Sequence, residues 1–110
     1  MTQITYTNTP AYFSIEFRGH AGFAEAGKDI VCAAVSMLAN ELIFACEKAE
    51  RNGEITALHR EQDSALVRLH FFYTRAQSIG DIVELILECL QALETQYRAY
   101  VRVKKSDEVQ

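Results

Sequence analysis

Apolar and polar residues alternate at the start of the chain, and the period changes after residue 20. In 2–7 (TQITYT) and 11–18 (AYFSIEFR) every second position is apolar. Phe13, Ile15 and Phe17 share one face, and Ser14, Glu16 and Arg18 the other. Period two of this kind predicts two strands, each with one face buried. Asn8, Thr9 and Pro10 supply the turn between them. From about Ile30 to Arg51 the period lengthens. Val31, Val35, Leu38, Leu42, Ala45 and Ala49 recur at steps of four and three, the stripe of an amphipathic helix. Asp29 is its natural N-cap, and Asn52-Gly53 ends it. Two more strands follow, at about 54–60 and 65–73. Ala65, Val67, Leu69, Phe71 and Tyr73 share a face of the second. A second helix opens at Ser78, with Asp81 three residues on in a capping-box-like pair. Its stripe is Ile79, Ile82, Ile86, Leu90, Leu93 and Tyr97. Residues 100–103 (YVRV) can add an edge strand, and 104–110 read as a flexible, solvated tail.

The pattern gives an α+β fold in β-β-α-β-β-α order, with a mixed sheet packed with two helices. Apolar residues also lie off the main stripes: Ile43 and Phe44 on the first helix, Leu85 and Leu87 on the second. That surplus implies helices on both sheet faces or a self-association surface. A single sheet carrying both helices, together with self-association, accounts for it best.

Composition narrows the function classes. The chain has 110 residues, 49% of them hydrophobic, enough for one domain over 1–110 with its own core. A net charge of −4 argues against direct nucleic-acid binding, which needs a basic face, and is compatible with a basic peptide. The N-terminal MTQITYTNTP has no basic segment followed by an apolar run, so no signal peptide is expected. No apolar run suggests a membrane span, and a cytoplasmic location is expected. The three cysteines, Cys32, Cys46 and Cys89, fit no zinc spacing; neither a metal nor a cofactor is expected.

Candidate chemistry sits in GHAGFAEAGKDIVCAAVS, residues 19–36. With Asp29 as N-cap, Cys32 lies in the first helical turn. Unpaired amides and the positive end of the helix dipole favour a thiolate there, and those amides are candidate oxyanion donors. His20 stands twelve residues upstream, across a loop containing Gly19, Gly22 and Gly27. A loop of that kind can fold back so that the imidazole pairs with the thiolate and later protonates a leaving group. Asp29 can act as a cap or can orient His20. Ser36, four residues after Cys32, shares its helix face and can bond the sulfur or a substrate carbonyl. The plainer readings are a small buried cysteine and a surface histidine. Cys46 and Cys89 read as core or interface residues. His59 and His70 read as sheet-surface residues.

The segments GHAG at 19–22 and GKDIVCAAVS at 27–36 resemble the signature of the bacterial ribosomal-processing cysteine protease family, Prp. Length, element order and the tyrosine-rich end 97–103 (YRAYVRV) resemble it too. The chain departs from the family pattern at about Cys89, where members often have glycine, and at Arg98, where they often have proline. The resemblance implies a cysteine endopeptidase that removes the N-terminal extension of a large-subunit ribosomal protein. It implies His20 and Cys32 as the catalytic pair, Asp29 and Ser36 in support, 21–28 as a mobile loop shaping the substrate site, and a homodimer. The alternatives are a non-enzymatic ribosome-associated or assembly protein binding the same partner, and a hydrolase of small thioesters.

Overall fold

A computed structural model describes residues 1–25, 27–75 and 77–106. The elements are β1 (Thr2–Asn8), β2 (Tyr12–Arg18), α1 (Ile30–Arg51), β3 (Ile55–Asp63), β4 (Leu66–Tyr73), α2 (Ser78–Gln96) and β5 (Val101–Lys105). They build one five-stranded sheet in the order β3-β4-β2-β1-β5. β5 runs parallel to β1, and the other neighbours are antiparallel. The register sets Ile4 opposite Phe17, Phe13 opposite Phe71, and Ile15 opposite Leu69. All six are buried, so the alternation in the sequence becomes one continuous apolar face. The two helices pack on that face and on each other. The opposite face carries Tyr12, Glu16, His59, Arg68 and His70.

α1 has the bounds expected of it, and its buried stripe is broader than an every-third-or-fourth pattern. Ile43 and Cys46 join Val31, Val35, Ala39, Leu42 and Ala49 in the core. Leu38 and Ala45 are only partly buried, and Phe44 stays 65% exposed. By length and composition alone α1 could cross a membrane, with 22 residues and a mean hydropathy of 1.7 over its most apolar window. That corrects the expectation that no apolar run is long enough. In this fold a third of that window is buried as the helix side of the core, and Ile30, Met37 and Phe44 stay exposed.

α2 begins at Ser78 as expected, but it is capped differently. Ser78 is its first residue rather than its cap, and the cap position, Gln77, makes no side-chain bond. The buried carboxylate of Glu54, just before β3, does that work. It accepts the main-chain N–H of Ile79 at 3.1 Å and the hydroxyl of Ser78 at 3.2 and 3.3 Å. A negative charge is favourable at that helix end. The C-terminal strand is also longer than the sequence suggests. Lys104 and Lys105 pair with Thr5 and Tyr6, so they belong to β5 and not to a tail. Residues 107–110 lie outside the described residues.

Candidate active site

His20 stands two residues beyond the end of β2, and Gly19 between them fixes how the chain leaves the sheet. The Gly19 N–H donates to the Ala65 carbonyl in the β3–β4 turn at 2.8 Å. Its φ is +90°, and a Cβ there would come within 2.6 Å of the Met1 carbonyl oxygen. Both facts require glycine. Ala21 then turns into the core, 2% exposed. Phe23 folds over the C-terminal end of α2. Its ring meets Tyr97 edge-on at 5.7 Å and Tyr100 at 5.1 Å. Beyond it, Ala24, Glu25, Gly27 and Lys28 are exposed; Ala26 of this loop is outside the described residues.

Asp29 closes the loop onto α1. Its backbone is extended, with φ −83° and ψ 95°, as an N-cap requires. One carboxylate oxygen, Oδ1, accepts the Cys32 N–H at 2.8 Å; the other, Oδ2, accepts the Phe23 N–H at 3.0 Å. The bond from Cys32, followed by those from other backbone amides, holds the carboxyl below its usual range. One side chain thus joins the loop to the turn bearing Cys32. The same bonds revise the expected oxyanion donors. The Cys32 amide is taken by the Asp29 side chain, and the Ala33 amide donates to the Asp29 carbonyl at 3.1 Å. Neither is free for a substrate.

Cys32 is partly buried, and Ser36 is exposed one turn further along α1. With the exposed His20 they line two cavities. The first, about 610 Å³, is also lined by Gly22, Gly27, Lys28 and Asp29 of the loop and by Ile30 and Ala33 of α1. The second, about 260 Å³, lies between α1 and the β3–β4 turn. His20, Cys32 and Ser36 are therefore brought together at the junction of two openings. Gly22 and Gly27 border only the loop cavity and Gly19 only the other.

The remaining candidates are elsewhere. Cys46 is fully buried, and burial pushes its thiol up to about 12, so it is inert. Cys89 is exposed on α2, not in the core. His59 and His70 stack across β3 and β4 with ring centres 5.0 Å apart, on the sheet face opposite the helices, and line neither cavity. Burial, then the neighbouring His59, lowers the His70 pKa. Among the described residues no group of three or more His, Cys, Asp or Glu could hold a metal ion. Two features of the site escaped the sequence reading. Asn40 is eight residues from Cys32 and on the same helix face, so the spacing of Cys32 and Ser36 extended by one step would have found it. The seat of Phe23 on Tyr97 and Tyr100 had no local signal beyond one aromatic residue in a glycine-rich loop.

The model of the family described as cysteine protease Prp matches residues 1–102. The crystal structure of SMU.848 from Streptococcus mutans is similar at 27% identity and TM-score 0.66, covering 96% of this chain and 93% of that one. Two structures of an essential ribosomal processing protease Prp from S. aureus share the fold, each covering 96% of this chain and 100% of theirs. The complex with a covalently linked product peptide has 24% identity and TM-score 0.65. The complex with a substrate peptide has 23% identity and TM-score 0.60. No curated protein matches this chain.

Proposed function

Since this chain belongs to the cysteine protease Prp family and is a cysteine protease, we propose that Cys32 is its nucleophile and His20 its proton carrier. The observation that carries the assignment is that His20, Cys32 and Ser36 border both cavities. A peptide laid from one cavity to the other would cross the sulfur. The Cys32 thiolate attacks the scissile carbonyl, and the C–N bond breaks as His20 protonates the leaving amine. Water then hydrolyses the thioester, with His20 accepting its proton. Because Asp29 occupies the Cys32 and Ala33 amides, the Ser36 hydroxyl, which borders both cavities, is the donor assigned to the substrate carbonyl. Asp29 supports the pair by fixing the loop and the helix start together.

The substrate reading is the N-terminal extension of a large-subunit ribosomal protein, removed in the cytoplasm. Its support is the shared fold of the S. aureus ribosomal processing protease, whose complexes hold substrate and product peptides. A homodimer is supported by the exposed row Ile30, Met37 and Phe44, spaced by seven along α1, each at least 59% exposed. The test is cleavage of a peptide spanning the extension of that ribosomal protein from the same genome. Cys32→Ser and His20→Ala each remove turnover while circular dichroism stays unchanged. Iodoacetamide modifies Cys32 long before the buried Cys46. Near-normal cleavage by Cys32→Ser would refute the nucleophile.

A further inference from the structure

We infer that His59 and His70 form a two-imidazole site for a divalent transition-metal ion of the copper, nickel or zinc class, on the sheet face opposite the helices. The pair touches neither cavity beside Cys32, so it stands apart from the protease assignment. Strand register makes the pair. His59 on β3 is directly opposite His70 on β4, and their rings lie 25° from parallel with centres 5.0 Å apart. Directly opposed residues on paired strands bring their Cβ atoms to about 5 Å, so two rings can turn toward one ion. Imidazole is a ligand that suits these three metals.

The pair exists because β3 breaks its own alternation. Thr56 faces Phe72 and His59 faces His70, so Ala57 and Leu58 share the place opposite Phe71. This bulge holds Ala57 at a φ of 55°, a left-handed conformation that strains any residue with a Cβ. Without the extra residue His59 would follow the buried Ile55 onto the helix side. With it, His59 meets His70, and Arg60 takes the helix side, where it pairs with Glu47 of α1 at 2.7 Å. The nitrogens are available. His70 Nδ1 is buried and has no hydrogen-bond partner among the described residues. A ring nitrogen in that state is unsatisfied, and no bond at Nδ1 fixes which nitrogen carries the proton. His59 is exposed and can swing toward a bound ion. Burial, then His59, lowers the His70 pKa, which favours the neutral ring that ligates. The neighbouring cation, Arg68, is held by Glu16 at 2.9 Å and Glu61 at 3.3 Å. Two imidazoles are fewer than the four ligands of a closed structural site, so water completes the coordination and the ion exchanges. Once bound, it ties the edge strand β3 to β4. The plain alternative is a cross-strand ring pair that only packs.

The experiment titrates the full chain with Ni(II) by calorimetry. It also reads Cu(II) coordination by electron paramagnetic resonance on the double variant Cys32→Ser, Cys89→Ser, which lacks the two thiols that are not buried. One Ni(II) per chain is expected. His59→Gln and His70→Gln each weaken it by about tenfold or more, since a lost ligand costs no less than a lost supporting group. His20→Ala leaves the affinity unchanged. Ni(II) raises the melting temperature of the wild type and not that of His59→Gln. The Cu(II) signal shows coupling to two imidazole nitrogens, and it is read with both histidines in place, so it decides the question even where a histidine variant fails to fold. A Cu(II) signal without that pair of nitrogens overturns the site. So does an Ni(II) affinity unmoved by His59→Gln in a folded variant, or one lost with His20→Ala instead.

Discussion

Replacing Phe23 by alanine tests whether the loop between His20 and Cys32 is held by its aromatic seat. The ring meets Tyr97 and Tyr100 edge-on, and such contacts contribute about 0.5–1.5 kcal/mol each beyond area burial. Phe23 is 38% exposed, so roughly six-tenths of its surface is also withdrawn from water, worth about 1–2 kcal/mol. Together the docked loop loses about 2–5 kcal/mol, which at 1.4 kcal/mol per decade lowers its docking equilibrium about 30- to 4,000-fold. The bond from the Phe23 N–H to Asp29 survives the change on paper, but an undocked segment breaks it more often. Hydrogen exchange of the amides of 22–29 should therefore accelerate strongly in Phe23→Ala, with core amides of β2 and β4 unchanged. KM for a cleaved peptide should rise at least tenfold, because only the docked fraction presents the loop cavity. Phe23→Leu, which keeps apolar burial but not the edge contacts, should fall between. Equal exchange in 22–29 for wild type and Phe23→Ala would refute the seat. A higher kcat/KM in the variant would mean that the docked loop obstructs the site rather than builds it.

Two further outcomes follow from the titrating groups. Asp29→Asn should keep the fold and most turnover, since its one amide oxygen can still accept the Cys32 N–H as a cap while only the bond from the Phe23 N–H is lost, whereas Asp29→Ala should lower both; a selective loss of turnover in Asp29→Asn would make the charge or the Phe23 bond, rather than the cap, the requirement. Because the folded carboxyl lies below its unfolded value near 4, its contribution is complete above about pH 4 and is lost as pH falls below that, a loss that Asp29→Asn does not show in acid unfolding. His70 is lowered by burial and then by His59, so its neutral form is favoured in the fold; stability is full above about pH 6.5 and declines as pH falls from there toward its folded pKa. His59→Gln should flatten the fall in melting temperature between pH 7 and 5, and an unchanged slope would remove the coupling.

How far the sequence could be read depended on where each residue finds its partner. The faces of β2 were legible because Phe13, Ile15 and Phe17 bury on one side whatever strand lies beside them. The bounds of α1 were legible because Asp29 caps it three residues away, a partner within reach of a short window. The start of α2 at Ser78 was legible, but its cap was not, because the capping carboxylate of Glu54 comes from 25 residues upstream of Ile79, just before β3. Lys104 and Lys105 look like a tail because pairing with β1 uses backbone groups, which no side-chain pattern records. Ile43 and Leu87 fell off the stripes because each helix touches both the sheet and the other helix, which widens the buried arc beyond one row.

The same reasoning explains why a histidine and a cysteine stand on either side of a glycine-rich loop. His20 needs the strand end, where Gly19 bonds to the β3–β4 turn and approaches Met1 too closely for any side chain. Cys32 needs the first turn of α1, where the capping carboxylate holds its amide. Both positions are fixed by the scaffold, so under the proposed assignment the connecting loop need not carry the geometry of the pair. It is free to serve as a wall of the substrate site, tied at Ala21, at the Phe23 ring and at the Asp29 carboxylate. On this reading a closure over substrate would take a restricted form. The described residues with no tie to these three anchors, Glu25, Gly27 and Lys28, can move while His20 and Cys32 stay where β2 and α1 put them. A loop that moved as a whole would have to break the Phe23 seat, so exchange at the Phe23 amide in the presence of an uncleavable peptide distinguishes a moving tip from a moving loop.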